Sequence, residues 1–584
     1  MKIKSISWLT VLLFVFMSVR SDGQPTPSAS IRLNQIGFYP NESKIAVIMG
    51  GGNTDFYIAT ADQGQKVFAG KLSEPVQSLF STRKTQTADF TALSSEGKYI
   101  LVVPGIGHSY PFQIKQNVFD ALTKASLKAF YFQRFSTALP EKYGGRWARP
   151  LSHPDDQVLI HASASDVKRP EGTLISTPRG WMDAGDYNKY IVNSGIATAT
   201  LLSAYEDYPG YYQNQKIDIP ENSNRIPDIL DEVLWNLRWM LTMQDPNDGG
   251  VYHKCTNASF DPMVMPHMAT APRFVVQKTT GAALNLAAVA AQAARIFRTF
   301  EKELPGMADS CINASTRAWK WALENRDVRY DQNKMNDQFD PDITTGAYGD
   351  NDLKDEFYWA ACELAAATSD DTYLSAFRPL AGAPFKVPSW NQVRLLGHYT
   401  LMKNRQNLPS LAGEIRAITE GMVKMAYEMV SGIDKRDFRT VMGASSKDFV
   451  WGSNAVAANQ AVVLLHALRL SGDRTFFTQA LSNFDYLLGR NATGYSYVTG
   501  FGAKTPMHPH HRPSEADGID EPIPGLLAGG PNPGMQDKCS YHSTVPDEAY
   551  VDDVCSYASN EIAINWNAPF VYLAGALEAL QGKR

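Results

Sequence analysis

The stretch "TTGAALNLAAVAAQAARIFR", residues 279–298, decides how this chain is built. It has helical periodicity, is rich in alanine and is apolar on more than one face. A helix of that kind must be covered on two sides. A single bundle layer would leave one face to water, whereas two concentric layers of helices would not.

Similar texture recurs from Val118 to the C-terminus. Helical patterns run through 121–135, 227–244, 355–368, 411–429, 454–471 and 568–581, about eleven or twelve helices over ~465 residues once weaker cases are included. In 227–244 the residues Leu230, Val233, Leu234, Leu237 and Leu241 form one stripe. No short strict repeat appears, which argues against a solenoid. Long non-helical loops at 136–180, 245–278, 328–354, 430–453 and 491–565 separate the helices, and loops of that length are kept mainly for function.

Residues 27–116 read differently. "KIAVIMG", "DFYIATA", "KVFAGKL" and "KYILVVPG" are short runs rich in β-branched and aromatic residues, separated by turn-forming clusters. Their spacing predicts a small β-sandwich. It shows neither a catalytic cluster nor an exposed aromatic strip on its strand patterns, so its expected role is to buttress the helical part. Ahead of it, Lys2 and Lys4 precede an apolar run from Trp8 to Val19 that is too short to span a bilayer comfortably. Residues 1–24 are expected to be a signal peptide without a lipid-anchored cysteine, and the protein to be exported.

The chain has 584 residues and a formal net charge of −5, with no basic block that would suggest nucleic acid and no other apolar run long enough for a membrane span. Its five cysteines are scattered without a C-x-x-C pair, which excludes a zinc ribbon and a redox motif. Cys539 and Cys555, in one loop, are candidates for a bridge; Cys362 reads as a buried helix residue. Aromatic residues make up 11% of the chain, more than a core alone requires.

Three constellations carry chemistry. "GWMDAGDYNKY" at 180–190 places Asp183 and Asp186 three apart, with only Ala184 and Gly185 between them. "MHPHHRPS" at 507–514 concentrates His508, His510 and His511 beside Arg512; the run is too tight for all three to ligate one metal ion and reads either as a polar wall for sugar hydroxyls or as a surface loop. "AYVDDVCSYASNEIAINWNAPFVYLAG" at 549–575 sets Asp552, Asp553 and Glu561 among Tyr550, Tyr557 and Trp566. A carboxyl with apolar and aromatic neighbours has its charged form disfavoured, as a general acid requires. Paired carboxylates cleave glycosidic bonds and aromatic faces stack on sugar rings. No G-x-S-x-G, H-E-x-x-H or dinucleotide fingerprint is present.

On these motifs the chain resembles glycoside hydrolase family 9, the (α/α)6-barrel cellulases, in the subgroup with an N-terminal immunoglobulin-like domain. "IRLNQIGFYP" at 31–40 is similar to the start of that module, "GWMDAGDYNKY" to the family's Asp-Ala-Gly-Asp motif, "SYVTGFGAKTPMHPHHR" at 496–512 to its histidine signature and "YVDDVCSYASNEIAINWNA" at 550–568 to its acidic signature. The resemblance covers essentially the whole mature chain. It implies a mainly α protein with an immunoglobulin-like sandwich over 27–116 and a barrel over 117–584. It also implies an inverting reaction in which Glu561 is the general acid, Asp186 the base and Asp183 the partner that holds the water and tunes Asp186. His510 and Arg512 would bind sugar hydroxyls, with Asp552, Tyr557 and Trp566 as further substrate-binding positions.

The expected substrate is a β-1,4-linked glucan, either amorphous cellulose, mixed-linkage glucan or xyloglucan, cut internally by a monomer. An exo-acting enzyme is the alternative, with "GGRWARPLSHPDD" at 144–156 closing one end of the cleft; a non-catalytic carbohydrate-binding protein is the remote one. No cofactor is required for the chemistry. Structural calcium occurs in the family, but the resemblance assigns it no ligands here. Some relatives carry a Cys/His zinc site just before the Asp-Ala-Gly-Asp motif; residues 136–180 hold His153 and His161 but no cysteine, so no zinc site is expected.

Overall fold

Strands occupy the region from Ile31 to Ile114, and helices dominate from Asp120 onward, in a computed structural model that describes residues 26–378 and 382–582. The expected signal peptide lies outside the described residues. The N-terminal unit is two sheets face to face. One has the order Ile31–Arg32, Ile45–Met49, Lys84–Asp89, Val76–Gln77. The other runs Gly37–Phe38, Phe112–Ile114, Gly97–Val103, Asp55–Thr60, Lys66–Lys71. Alternation along Gly97–Val103 buries Tyr99, Leu101 and Val103 against Ile48, Phe56, Phe90 and Phe112, so a period of two builds the sandwich core.

The helical part is a double-layered barrel. Six helices form the inner layer: Ile191–Asp207, Thr280–Phe297, Lys354–Thr368, Arg394–Lys403, Ser453–Ser471 and Ile564–Leu580. In Thr280–Phe297 every residue except Arg295 is buried, which is the two-sided cover its alanines predict. Alanine is small enough for neighbouring inner helices to approach closely. Helices such as Ala412–Val430 lie outside; there only Ile415, Ile418, Met422 and Ala426 are buried, one stripe at spacings of three and four. Cys362 sits fully buried in an inner helix, and Cys539 and Cys555 are disulfide-bonded.

One element escapes a periodicity reading. A sheet of five short strands takes four from the loops predicted at 136–180 and 245–278 and one from the 180–190 motif: Leu174–Ile175, Val158–Ile160, Arg273–Val275, Lys254–Asn257 and Lys189–Tyr190. Strands of two to four residues are too short to show alternation. The last strand directly follows the Asp183–Asp186 turn.

Candidate active site

The sheet pins that turn from below. Lys189, completely buried, donates to Asp155 Oδ2 at 2.6 Å and to the carbonyls of Thr177 and Arg179 at 2.9 and 2.8 Å. Arg273 binds the other Asp155 oxygen at 2.7 Å and donates to the carbonyl of Tyr187 at 2.6 Å. Two cations around one carboxylate hold Asp155 below the usual carboxylate range despite its burial. From above, Arg512 donates through Nη1 to the carbonyl of Gly185 at 2.8 Å and through Nε to that of Asp261 at 2.8 Å. Gly185 is obligatory for steric reasons: a Cβ there would stand 2.0 Å from the carbonyl oxygen of His510.

Held in this way, Asp183 and Asp186 face a cleft of about 540 Å³ that Glu561 and Trp566 also line. Asp183 Oδ1 accepts from Asn193 Nδ2 and Oδ2 from the Tyr348 hydroxyl, both at 2.7 Å. Burial, reinforced by the Asp186 charge, pushes its carboxyl up to about 8; the two donors only partly offset this. Asp186 Oδ2 accepts from Asn188 Nδ2 at 2.6 Å and from the Tyr190 hydroxyl at 3.0 Å. Glu561 lies well above the ordinary range, through burial first and then the charges of Asp186 and Asp183. Asp183 and Glu561 are thus both held above the ordinary carboxylate range, with the hydrogen-bonded Asp186 beside them.

The remaining sequence candidates divide. His510 brings Nδ1 within 2.6 Å of the Val554 carbonyl, a contact that requires Nδ1–H and leaves the lone pair of the neutral ring on Nε2. Burial depresses its protonation. Trp566 lines the cleft, and Tyr557 packs on His510 and Trp451 with ring centroids at 5.9 and 5.4 Å. Arg512 and Asp552 also hold loops. The guanidinium bonds of Arg512 described above go to backbone carbonyls, and Asp552 accepts from the amides of Met507 and His508 and from Asn560 Nδ2. His511 spends both ring nitrogens on Ser514 and Gln133 and has none left for a metal ion.

Sequence reasoning missed Tyr348, Tyr190, Asn188 and Asn193, which shape the two aspartates, and Phe260, Trp390 and Trp451, which line the cleft. Tyr190 and Asn188 stood inside the quoted motif. For Tyr348 the only local signal was the "TTGAYGD" run at 344–350, where the tyrosine adopts φ 49°, a region non-glycine residues rarely occupy. The segment 144–156 does not line the cleft. Trp147 packs edge-on against Phe132 and donates to the carbonyl of Glu521.

Three metal possibilities can be tested on the side chains. Asp166, Asp245 and Asp248 converge, but Lys278 Nζ sits among them at 3.1, 2.6 and 2.9 Å and supplies the positive charge itself. His153 has two buried ring nitrogens without partners, but it faces Arg273 and Lys189, whose charges oppose a zinc ion; His161 is engaged by Ser163 and the Pro341 carbonyl. Glu356 is different. It is fully buried, its carboxyl meets no donor beyond the neighbouring Asp355 carboxyl, and the charges acting on it are Asp355 and Asp350. Asp350 Oδ2 is likewise buried and unpartnered. Oxygen donors without a counter-charge suit a hard divalent cation.

The chain is similar to known proteins over nearly its whole length. The model of glycosyl hydrolase family 9 matches residues 119–574, and that of the cellulase N-terminal ig-like domain matches residues 26–108. A xyloglucan-specific endo-beta-1,4-glucanase of Bacteroides ovatus is 45% identical over 95% of this chain and 94% of its own length. Endoglucanase D of Acetivibrio thermocellus is 34% identical over 93% of this chain and 83% of its own. A solved Bacteroides ovatus family 9 structure superposes with a TM-score of 0.89 at 43% identity, covering 94% of this chain and 99% of that one.

Proposed function

The chain belongs to glycosyl hydrolase family 9, and we propose that it cuts β-1,4-glucosidic bonds inside xyloglucan with inversion at the anomeric carbon. It is a glycoside hydrolase of the endo-β-1,4-glucanase type. The observation that carries the mechanism is the meeting of Asp186 and Glu561 in one cleft from loops about 375 residues apart.

In this reading the Glu561 carboxyl, kept protonated by its surroundings, gives its proton to the leaving glycosidic oxygen. Asp186, with Oδ2 held by Asn188 and Tyr190, uses its other oxygen to take a proton from the attacking water on the opposite face of the sugar. Asp183 helps to hold that water. His510 and Trp566 contact the sugar flanking the scissile bond. Arg512 acts through Gly185, and Asp552 through the amides of Met507 and His508.

Two observations support a branched polymer cut internally. The relative with 45% identity is named for xyloglucan. The cleft is lined by half-exposed Phe260, Val450 and Trp451, apolar faces suited to sugar rings, and residues 144–156 do not close it. If a calcium ion binds, the adjacent Asp355 and Glu356 would hold it and it would offset their charge. The protein acts as an exported monomer. The test is a panel of xyloglucan, mixed-linkage glucan and carboxymethylcellulose, with viscosity, product size and the first-formed anomer recorded. A rapid viscosity drop on xyloglucan with α-anomeric products is expected; hydrolysis of the unbranched glucans alone would overturn the substrate, and β-anomeric products the mechanism.

A further inference from the structure

Arg83 lies just before the strand Lys84–Asp89 of the N-terminal sandwich, yet its guanidinium is spent on the barrel. Its side chain is only 9% exposed. It donates to Asp437 Oδ2 at 2.8 Å and pairs with both Asp547 and Glu548. The planar five-donor fork of arginine lets one residue hold three carboxylates. Phe438 lies 5.2 Å from the guanidinium carbon and covers its face.

Asp547 and Glu548 begin a short path to the catalytic centre. Two residues on, the Tyr550 hydroxyl donates to Asn560 Oδ1 at 2.5 Å. Asn560 Nδ2 donates to the His508 carbonyl at 2.7 Å and to Asp552 Oδ1 at 3.0 Å, and its own carbonyl accepts the amide of His510 at 3.0 Å. Asn560 is the residue immediately before Glu561. Glu548, Tyr550 and Asn560 therefore join the sandwich to both the glutamate and the histidine of the cleft. One contact between the two units is remote from this path: the Tyr39 hydroxyl donates to Glu578 at 2.8 Å, near the far end of the last inner helix.

We infer that Arg83 is a positioning residue for Glu561, and that the N-terminal domain acts on catalysis by clamping residues 547–560 from outside the barrel. The inference rests on Glu561 being the acid. A small shift of an acid relative to the glycosidic oxygen lowers turnover more than binding, because the transition state alone demands the correct geometry.

The test uses the full-length enzyme with Arg83→Ala, Tyr550→Phe, the double variant and Tyr39→Phe, each measured for kcat, KM and Tm. Arg83→Ala and Tyr550→Phe are each expected to lower kcat on the order of 10-fold with KM within about twofold. The double variant should lose no more than the worse single one, since both break the same path. Tyr39→Phe should lower Tm without changing kcat. Unchanged kcat in Tyr550→Phe, multiplicative losses in the double variant, or equal kcat losses in Tyr39→Phe would each overturn the inference. Full activity in Glu561→Gln would instead overturn the acid assignment on which it stands.

Discussion

The hydroxyl of Tyr348 donates to Oδ2 of Asp183 at 2.7 Å across 165 residues of sequence. It ties a loop that precedes one inner helix to the carboxylate pair that precedes another. Removing it with Tyr348→Phe takes a donor from a buried carboxylate and raises the Asp183 pKa further. With its carboxyl held up to about 8, Asp183 is mostly protonated at neutral pH; a hydrogen bond between neutral groups contributes about 0.5–1.5 kcal/mol, so kcat should fall roughly 2- to 10-fold. Steady-state kinetics on a soluble β-glucan would measure it, and an unchanged kcat would contradict the role.

Glu561→Gln keeps the shape and removes the proton. The loss should be about 10²–10⁴-fold on a polysaccharide. On a dinitrophenyl cellobioside, whose leaving group departs without protonation, the loss should be much smaller. Comparable losses on both substrates would exclude Glu561 as the acid.

Asp183 also predicts a pH dependence of stability. Its folded pKa is about 8 against an ordinary value of 3.8, so the native state binds the proton more tightly than the unfolded chain. The associated stability is complete below about pH 4 and is lost as pH rises toward 8. Melting curves from pH 5 to 9 should show a decline whose slope is reduced in Asp183→Asn. Equal slopes in the two proteins would refute the assignment.

Calcium binding at the adjacent Asp355 and Glu356 should raise Tm, because an ion that binds only the folded state stabilises it by mass action. Calorimetry in chelator and in added calcium would show a lower Tm in chelator. Glu356→Gln should abolish the difference. Identical melting of the native protein in both solutions would refute the site.

Gly185→Ala should both destabilise and inactivate. Its Cβ would meet the His510 carbonyl oxygen at 2.0 Å, and the backbone on one side or the other must move. That movement separates Asp186 from Glu561, so kcat should fall further than Tm alone accounts for. Native activity in the soluble variant would show that the turn tolerates displacement.

Motifs identified the residues that carry charge more readily than those that aim it. Asp183, Asp186 and Glu561 were visible because acidic residues beside small or apolar neighbours are costly and therefore conspicuous. Arg512 and Asp552 were equally visible, but Arg512 bonds to backbone carbonyls and Asp552 to amide N–H groups, and no motif shows where those groups will lie. Tyr348, Trp390 and Trp451 were hidden because a single aromatic in a loop looks the same whether it fills a core or faces a cleft.

Helical texture and two-layer architecture follow from local pattern, since the period of apolar residues and the alanine content of a helix state how many of its faces need cover. The alanines of 280–297 are sufficient for that. The protonation of Asp183 and Glu561, the pinning of their loops by Lys189, Arg273 and Arg512, and the reach of Arg83 into the barrel arise from folding alone. Each depends on burial and on charges brought together from distant segments, and electrostatic energy depends on distance in space.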